Sequence, residues 1–423
     1  MYTVGIDISK GKSMIAVMRP GGEEVLRPFE VHHTSHDLTL LCDKLKSLGG
    51  ETRVVMEATG SYHLPIAWLL DHEGFYVSVV NPVLIHGYGN NSIRRGKTDR
   101  KDALKIAGYG LQYWNELPRY MPQDPTRQLL KTCYRQYQEY SKISSVFKNS
   151  LISLMDLYFP GVNDLFTSPV RPDGSQKWID FVAAFRHCDC VRGLSERAFI
   201  TRYQRWCAKH GYQFSPDKAK KIHAFALNCV AVSPNSECVR VLVDTAVSQL
   251  RTNLISLAVV RAQMQALASS LPEYPVVMSM FGAGPSLGPQ LMAEIGDVRR
   301  FHSKKALVAF AGIDAPPCQS GQVNFLSRSI SKRGSPALRR TLFLVMNVIN
   351  MCSPAEDPVY QYMAKKRSEG KKYQVYMMAS ANKFLRRYYA SVNAYLDTLG
   401  STCPAFPAPR PAACNSHAAQ RLV

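Results

Sequence analysis

Three β-rich runs, Thr3–Ile8, Ser13–Met18 and Val25–Val31, open the chain with nothing but tight turns between them. Lys10-Gly11-Lys12 and Pro20-Gly21-Gly22 supply those turns. Runs this close pair antiparallel, because a parallel partner needs a crossover of a dozen or more residues. A doubly wound parallel sheet has no such opening meander, so that architecture is excluded. Beyond it the pattern alternates. A helix is expected from about Ser35 to Leu48, closed by Gly49-Gly50, then a strand at Arg53–Met56 and a helix at Tyr62–His72. A strand at Phe75–Val80 ends at Asn81-Pro82, and a basic, glycine-containing loop leads to a helix from about Thr98 to Tyr109.

Meander, helix, strand, helix, strand, helix is the order of an α/β ribonuclease-H-like domain, in which the later strands join in parallel through helical crossovers. Two acids stand out in it. Asp7 ends the first strand run and Glu57 the fourth. A carboxylate after a buried run is costly unless it is paired or binds a cation. In such a sheet these two strands are neighbours, so the acids face each other. Asp99 and Asp102, in Lys97-Thr98-Asp99-Arg100-Lys101-Asp102-Ala103, are spaced i, i+3 and share one face of a helix start. Four acids at one sheet edge cannot all stay ionised without compensation. Two Mg²⁺ ions about 4 Å apart would supply it and would suit phosphodiester chemistry. Taken singly, Asp99 reads equally as a helix cap, Asp102 as a surface charge and Glu57 as an arginine partner. Arg94, Arg95, Lys97, Arg100 and Lys101 crowd the last two acids, as a phosphate backbone would require.

Charge points the same way. Lys and Arg number 52 against 32 Asp and Glu, a net +20. That excess favours a polyanionic partner, nucleic acid before membrane. No run of about 18 uncharged apolar residues is present, so no membrane span is expected. The first residues enter a strand pattern without the basic and apolar regions of a secretion signal. Eleven scattered cysteines, an odd number, read as reduced thiols rather than a disulfide framework. Together these are expected of a cytoplasmic protein.

Leu129 to Tyr158 and Cys238 to Leu271 carry long helical patterns, which suit either an antiparallel pair or an oligomerising coiled coil. Between them, about 160–236 reads as an irregular, small helical insert. Met280-Phe281-Gly282-Ala283-Gly284-Pro285 resembles the turn of a helix-hairpin-helix, which offers N–H groups to a DNA phosphate, or else a plain glycine turn. From Arg299 to Arg340 there are nine Lys or Arg and one acid, Asp314. This stretch holds Cys318-Gln319-Ser320-Gly321, Lys332-Arg333-Gly334 and Arg339-Arg340. Ser320 there is either a nucleophile toward phosphate or a polar loop residue, with Ser327, Ser329, Ser331 and Ser335 as competitors. The expected domains are 1–125, 126–272 with its insert, 273–399, and a Pro- and Ala-rich disordered tail over 400–423.

Gly-Ile-Asp at 5–7, Glu-Ala-Thr-Gly at 57–60 and Lys-Thr-Asp-Arg-Lys-Asp-Ala at 97–103 resemble the DEDD-type insertion-sequence transposases. So do Ala-Glu-Ile-Gly-Asp at 293–297, Gln-Ser-Gly at 319–321 and Ile-Ser-Lys-Arg-Gly at 330–334. The resemblance spans nearly the whole chain except the insert and the tail. It implies a RuvC-like nuclease domain, a coiled-coil region and a mostly α C-terminal transposase domain. It implies Asp7, Glu57, Asp99 and Asp102 as Mg²⁺ ligands, Ser320 as the nucleophile that becomes linked to DNA, and no organic cofactor. Lys332, Arg333, Arg339 and Arg340 join the five basic residues near Asp99 as the expected nucleic-acid contacts. The implied partners are donor and target DNA, a structured non-coding guide RNA, and further copies of the chain, dimers pairing into a tetramer. The implied setting is a bacterial or archaeal cytoplasm, close to the nucleoid. Two departures are visible: the insert lengthens the chain, and Ser335 follows Gly334 where Asn is common in the family.

Other readings carry their own requirements. A metal-dependent nuclease or site-specific invertase would work without a guide RNA. A non-catalytic nucleic-acid scaffold would bind without cutting. An actin-like or sugar-kinase site at Asp7 needs a second glycine-rich phosphate loop, which the sequence lacks. His187, Cys188, Cys190, Cys207 and His210 offer zinc-type ligands, though at no standard ribbon spacing.

Overall fold

The structure is a computed structural model, and it describes residues 1–58, 60–88, 98–122, 124–315, 319–320, 323–324 and 329–400. It divides into two compact units, residues 1–122 and the chain from 123 onward. The expected tail at 400–423 lies outside the described residues from 401 on, and so do Arg94, Arg95 and Lys97.

The first unit is a mixed α/β layer structure. The meander forms as its turns require: β1 (Tyr2–Ile8), β2 (Lys12–Arg19) and β3 (Glu23–His32) pair antiparallel in sequence. Then come α1 (Ser35–Lys46), β4 (Thr52–Glu57), α2 (His63–His72), β5 (Tyr76–Val80), α3 (Pro82–Gly87) and α4 (Asp99–Gln112). The sheet order is β3-β2-β1-β4-β5, with β1, β4 and β5 parallel. Its two faces are covered differently. Val4, Ile6 and Ile8 of β1, with Val54 and Met56 of β4, pack on one side with Leu41, Leu45, Ile66 and Leu70 from α1 and α2. The other side takes α4, whose Ala103 and Ala107 pack with Ala16 of β2. The segment expected as a loop after Asn81 begins instead as α3. The Asn81 side chain accepts the Val83 N–H at 3.0 Å and Pro82 occupies the first turn, a start signal that the strand pattern before it obscured.

The second unit is helical. Its spine is an antiparallel pair, α5 (Pro125–Tyr158) and α10 (Glu237–Ser269), so the intramolecular alternative holds for these two helices. Asp124 caps α5 by accepting the Arg127 N–H at 3.1 Å, which starts the helix before the apolar pattern begins at Leu129. Between the two lie α6 (Lys177–Ala184), α7 (Asp189–Arg192), α8 (Glu196–Lys209) and α9 (Pro216–Leu227). The insert is therefore ordered, not irregular: Phe159, Phe181, Phe185, Phe199, Tyr203 and Trp206 fill a core of their own with Leu151 and Met155 of α5 and Val247 and Leu250 of α10. Each large apolar side chain fully removed from water contributes about 1.5–3 kcal/mol.

The other end of the spine serves a second core. Leu130 and Tyr134 of α5 and Met264 and Ala268 of α10 pack with the C-terminal helices. These are α11 (Tyr274–Ser279), α12 (Gly284–Ile295), α13 (Lys304–Ala311), α14 (Pro336–Cys352), α15 (Pro358–Ser368) and α16 (Tyr373–Gly400). A small hairpin of β6 (Gln319–Ser320) and β7 (Val323–Asn324) sits between α13 and α14 in the chain. Leu130 and Met155 are 25 residues apart on α5, so these two core residues stand about 37 Å apart along the helix axis at 1.5 Å per residue.

Candidate active site

The register of the sheet brings the first two acids together. Ile6 pairs with Met56 across the parallel β1–β4 ladder, and one step further in the same register sets Asp7 beside Glu57. Side chains alternate along a strand, so Thr3, Gly5 and Asp7 share the face opposite to Val4, Ile6 and Ile8, and Val55 and Glu57 share that face on β4. This is the face that α4 covers. Asp7 and Glu57 are half-buried there.

How α4 lies on the sheet settles where the other two acids go. A Cβ on Gly5 would stand 2.2 Å from the Ala103 carbonyl oxygen and 2.3 Å from the Ala107 nitrogen, so the helix backbone rests directly on that glycine. At Gly110 a Cβ would meet the Thr3 side chain at 2.3 Å and that of Val55 at 2.8 Å. The late part of α4 therefore lies over the start of β1 and its early part over the middle. The helix runs antiparallel to β1, and its first turn heads for the strand ends that carry Asp7 and Glu57. Asp99 and Asp102 are in that first turn, Asp99 exposed and Asp102 half-buried. Thr98 fixes the turn by accepting the Lys101 N–H at 3.3 Å.

Lys12, at the same end of β2, has a raised pKa, chiefly through its 2.7 Å hydrogen bond to Glu30, with Asp99 adding to the effect. The four acids thus lie toward one end of the sheet, and among the described residues no three of them bring ligand oxygens within 4.8 Å of one another. Arg100 and Lys101 are exposed in the same turn.

The second constellation is the basic segment of the C-terminal helices. Ser320 lies in β6, with its backbone paired to Val323. The segment that carries the hairpin is closed at its base. The Ser331 N–H donates to the Asp314 carbonyl at 2.8 Å, and the Ser331 hydroxyl donates to the Asp314 carboxylate. Lys332 donates its N–H to Gly312 O at 3.0 Å while holding φ at +55°, a left-handed value unusual for a long side chain. A Cβ on Gly334 would stand 2.1 Å from Phe310 O, so glycine is required there.

Ser335 is the anchor. Its hydroxyl caps α14 by accepting the Leu338 N–H at 3.2 Å and donates to Glu294 at 2.8 Å. Glu294 is buried on α12 and also takes the Arg135 guanidinium of α5, at 2.8 Å. Two more cations border it. Burial pushes the Lys131 ammonium down, and it pushes Arg300 down to about 10, with Glu294 opposing both shifts. Lys332, Arg333 and Arg340 are exposed, whereas Arg339 is half-buried and donates to Ala311 O at 3.2 Å. Arg135 and Lys131, which border this segment, were not singled out in the sequence, and Glu294 and Asp314 were noted there without these partners. Nothing local marks an acid on an apolar helix as the partner of a distant serine.

The glycine turn at 282–284 does join two helices, α11 and α12. Gly282 has φ +82°, and a Cβ there would stand 3.0 Å from Ile349 and 3.1 Å from Val345 of α14, so packing alone accounts for it. Among the zinc-type residues, the structure gathers His187, Cys188 and Asp189 within 4.8 Å, a set without Cys207 or His210. His187 is spent on the fold: one ring nitrogen bonds Ser233 O at 2.9 Å and the other accepts the Asp189 N–H at 3.1 Å. Burial raises the Cys188 thiol, which opposes the thiolate that zinc needs.

Residues 4–160 match a family model described as a transposase, and residues 274–361 match one described as the transposase IS116/IS110/IS902 family. Among curated proteins, the chain is 23% identical over 341 residues to the pilin gene-inverting protein of Moraxella bovis, covering 80% of this chain and 79% of that one. The pilin gene-inverting protein of Moraxella lacunata is similar to the same degree over the same shares of the two chains. A 43.6 kDa insertion-element IS110 protein of Streptomyces coelicolor is 21% identical over 369 residues, covering 87% of this chain and 88% of that one.

Proposed function

We infer from the chain's membership of the IS116/IS110/IS902 transposase family that it is a transposase-recombinase that cuts and rejoins DNA at two dedicated groups, the four-acid rim and Ser320. The observation that carries this reading is the antiparallel seat of α4 on Gly5, which delivers Asp99 and Asp102 to the strand ends of Asp7 and Glu57. The β3-β2-β1-β4-β5 order, antiparallel then parallel, supports a ribonuclease-H-like, RuvC-like assignment for the first unit. Asp7, Glu57, Asp99 and Asp102 would hold two Mg²⁺ ions, which when bound would supply neutralisation of phosphate charge and a lowered pKa for an attacking hydroxyl.

The chain's own residues do the rest. Arg94, Arg95, Lys97, Arg100 and Lys101 hold the phosphate backbone beside the rim, and Lys332, Arg333, Arg339 and Arg340 hold it beside the hairpin. The Ser320 oxygen bonds to the scissile phosphorus as the bond from phosphorus to the sugar oxygen breaks. The serine proton ends on the released sugar hydroxyl. Attack by a second strand's hydroxyl reverses the exchange and frees the serine. One ester replaces another at each step, so no high-energy cofactor is consumed.

Family membership and the net charge of +20 support two further parts of the proposal: a structured guide RNA that pairs with donor and target DNA, and assembly of dimers into a tetramer. No helix among the described residues is long and apolar enough to cross a membrane, in keeping with action on DNA in the cytoplasm. The pilin gene-inverting relatives favour one alternative outcome, inversion of a DNA segment.

The deciding experiment traps covalent protein–DNA adducts. Ser320→Ala is expected to abolish them while DNA binding persists, and Asp102→Asn to cut recombination at fixed Mg²⁺ by at least about 100-fold. Persistent adducts in the first would remove Ser320, and unchanged recombination in the second would remove the rim. Wild-type protein that binds DNA and never cuts it would leave a scaffold. Sequencing RNA that co-purifies with the protein tests the guide.

A further inference from the structure

The insert between the spine helices carries a cationic face that the reading above does not use. Lys177 opens α6, and its ammonium stands 5.3 Å from the ring centre of Tyr212, 5.9 Å from that of Tyr203 and 6.0 Å from that of Phe166. Lys218, from the first turn of α9, stands 5.6 Å from the same Phe166 ring. Lys221 follows it at i+3 on the same helix and is exposed. Burial first, then the charges of Lys221 and Lys177, push the Lys218 ammonium below its ordinary value.

Lys177 and Lys218 thus share one aromatic ring, with Lys221 one turn further along α9; the Lys177 ammonium donates to Gln213 O at 3.2 Å, and none of the three is in an ion pair with a carboxylate among the described residues. Asp217, the acid on α9, bonds none of them. A second feature acts at the same place. The cluster sits at the N-terminus of a 12-residue helix, where Ser215 accepts the Lys218 N–H at 3.3 Å and the helix dipole adds positive potential. Solvated lysines with no task spread apart. Cations gathered on a half-buried face destabilise the free protein, and a bound polyanion offsets that repulsion.

We propose that the head built on residues 159–236 is a second DNA surface, which grips the phosphodiester backbone of duplex DNA through Lys177, Lys218 and Lys221. Its α5 residue Met155 lies about 37 Å along that helix from Leu130 of the core that packs the C-terminal helices, so it reaches a stretch of backbone distinct from the one at the hairpin. The inference does not depend on the chemistry proposed for Ser320 or the rim.

The test compares full-length wild type with K177Q/K218Q/K221Q, without divalent cation, for binding to a duplex of arbitrary sequence and to an RNA hairpin over a salt series. Each lost phosphate contact on a duplex flattens the slope of log K against log salt by about 0.9. The triple variant is expected to be shallower by up to about 2.7 on the duplex arm. Flattening on the RNA arm alone, or equal slopes for wild type and variant on both arms, overturns the proposal. K221Q alone, at an exposed site, is expected to lose about 0.9 with an unchanged circular dichroism spectrum, and it decides the matter if the triple variant does not fold. Normal recombination with unchanged slopes would overturn the head surface and leave the recombinase reading standing. Flattened slopes in a protein that never forms an adduct would do the reverse.

Discussion

The rim of the sheet and the base of the hairpin both position candidate groups, and they do so by different physics. At the rim, position comes from backbone against backbone. Gly5 lets α4 rest on β1, small residues line the contact, and the acids are carried to their places by strand register and helix direction. At the hairpin, position comes from buried charge. Glu294, hidden from water, holds Ser335 and Arg135 among two further cations, and Asp314 clasps Ser331 across the segment that carries Ser320. A seat made of backbone tolerates changes of salt and pH and fails when a methyl group is added. A seat made of buried charge accepts small changes of volume and fails when one charge is removed.

The largest expected effect breaks the second kind of seat. Glu294→Ala leaves Lys131 and Arg300 without their carboxylate and should destabilise the helical unit by about 3–5 kcal/mol. Denaturant unfolding followed separately by a probe in each unit should show the loss in the second unit alone. Equal loss in both would mean that the two seats are not independent.

Next comes Gly5→Ala, which should cost about 1–3 kcal/mol by overpacking and remove recombination altogether, because α4 must back away with Asp99 and Asp102. Full activity in this variant would show that the rim is not set by that contact.

A smaller effect sharpens the contrast through pH. Burial alone would raise the Asp297 carboxyl, yet hydrogen bonds from Arg299 and the nearby Arg127 charge outweigh it and leave the group below its ordinary 3.8. A depressed carboxyl stabilises the fold above its unfolded value, and that contribution fades as pH falls through the folded one. Asp297→Asn should therefore cost about 1 kcal/mol at neutral pH, with the gap from wild type closing below about pH 4. A gap that is constant down to acid pH would assign the loss to packing.

Much of the rim was legible in the sequence. The meander, the parallel strands and the two strand-end acids follow from turns and alternation, which are local. The i, i+3 pair at 99 and 102 needed only a helix start. The direction of α4 on the sheet was not legible, because it depends on the small residues that meet across it, Gly5 against Ala103 and Ala107 and Gly110 against Thr3. The C-terminal site was legible only as a basic segment. Glu294 and Arg135 lie far apart in the chain, and their pairing is a product of packing. The insert was legible as helical but not as a core of its own, because that aromatic core is shared among short helices, none of which carries enough periodicity to stand out.

One feature of the spine bears on how such a chain can change. The polypeptide leaves α5 at Phe159 and returns at the start of α10, at adjacent ends of two antiparallel helices, with the Val232 N–H donating back to Leu157 O at 2.8 Å. Entry and exit points that lie side by side make the head a graft: a short hairpin loop could take its place without re-routing the backbone. Lineages can thus acquire, swap or discard this appendage while the hinge-like pair of helices beneath it keeps its path.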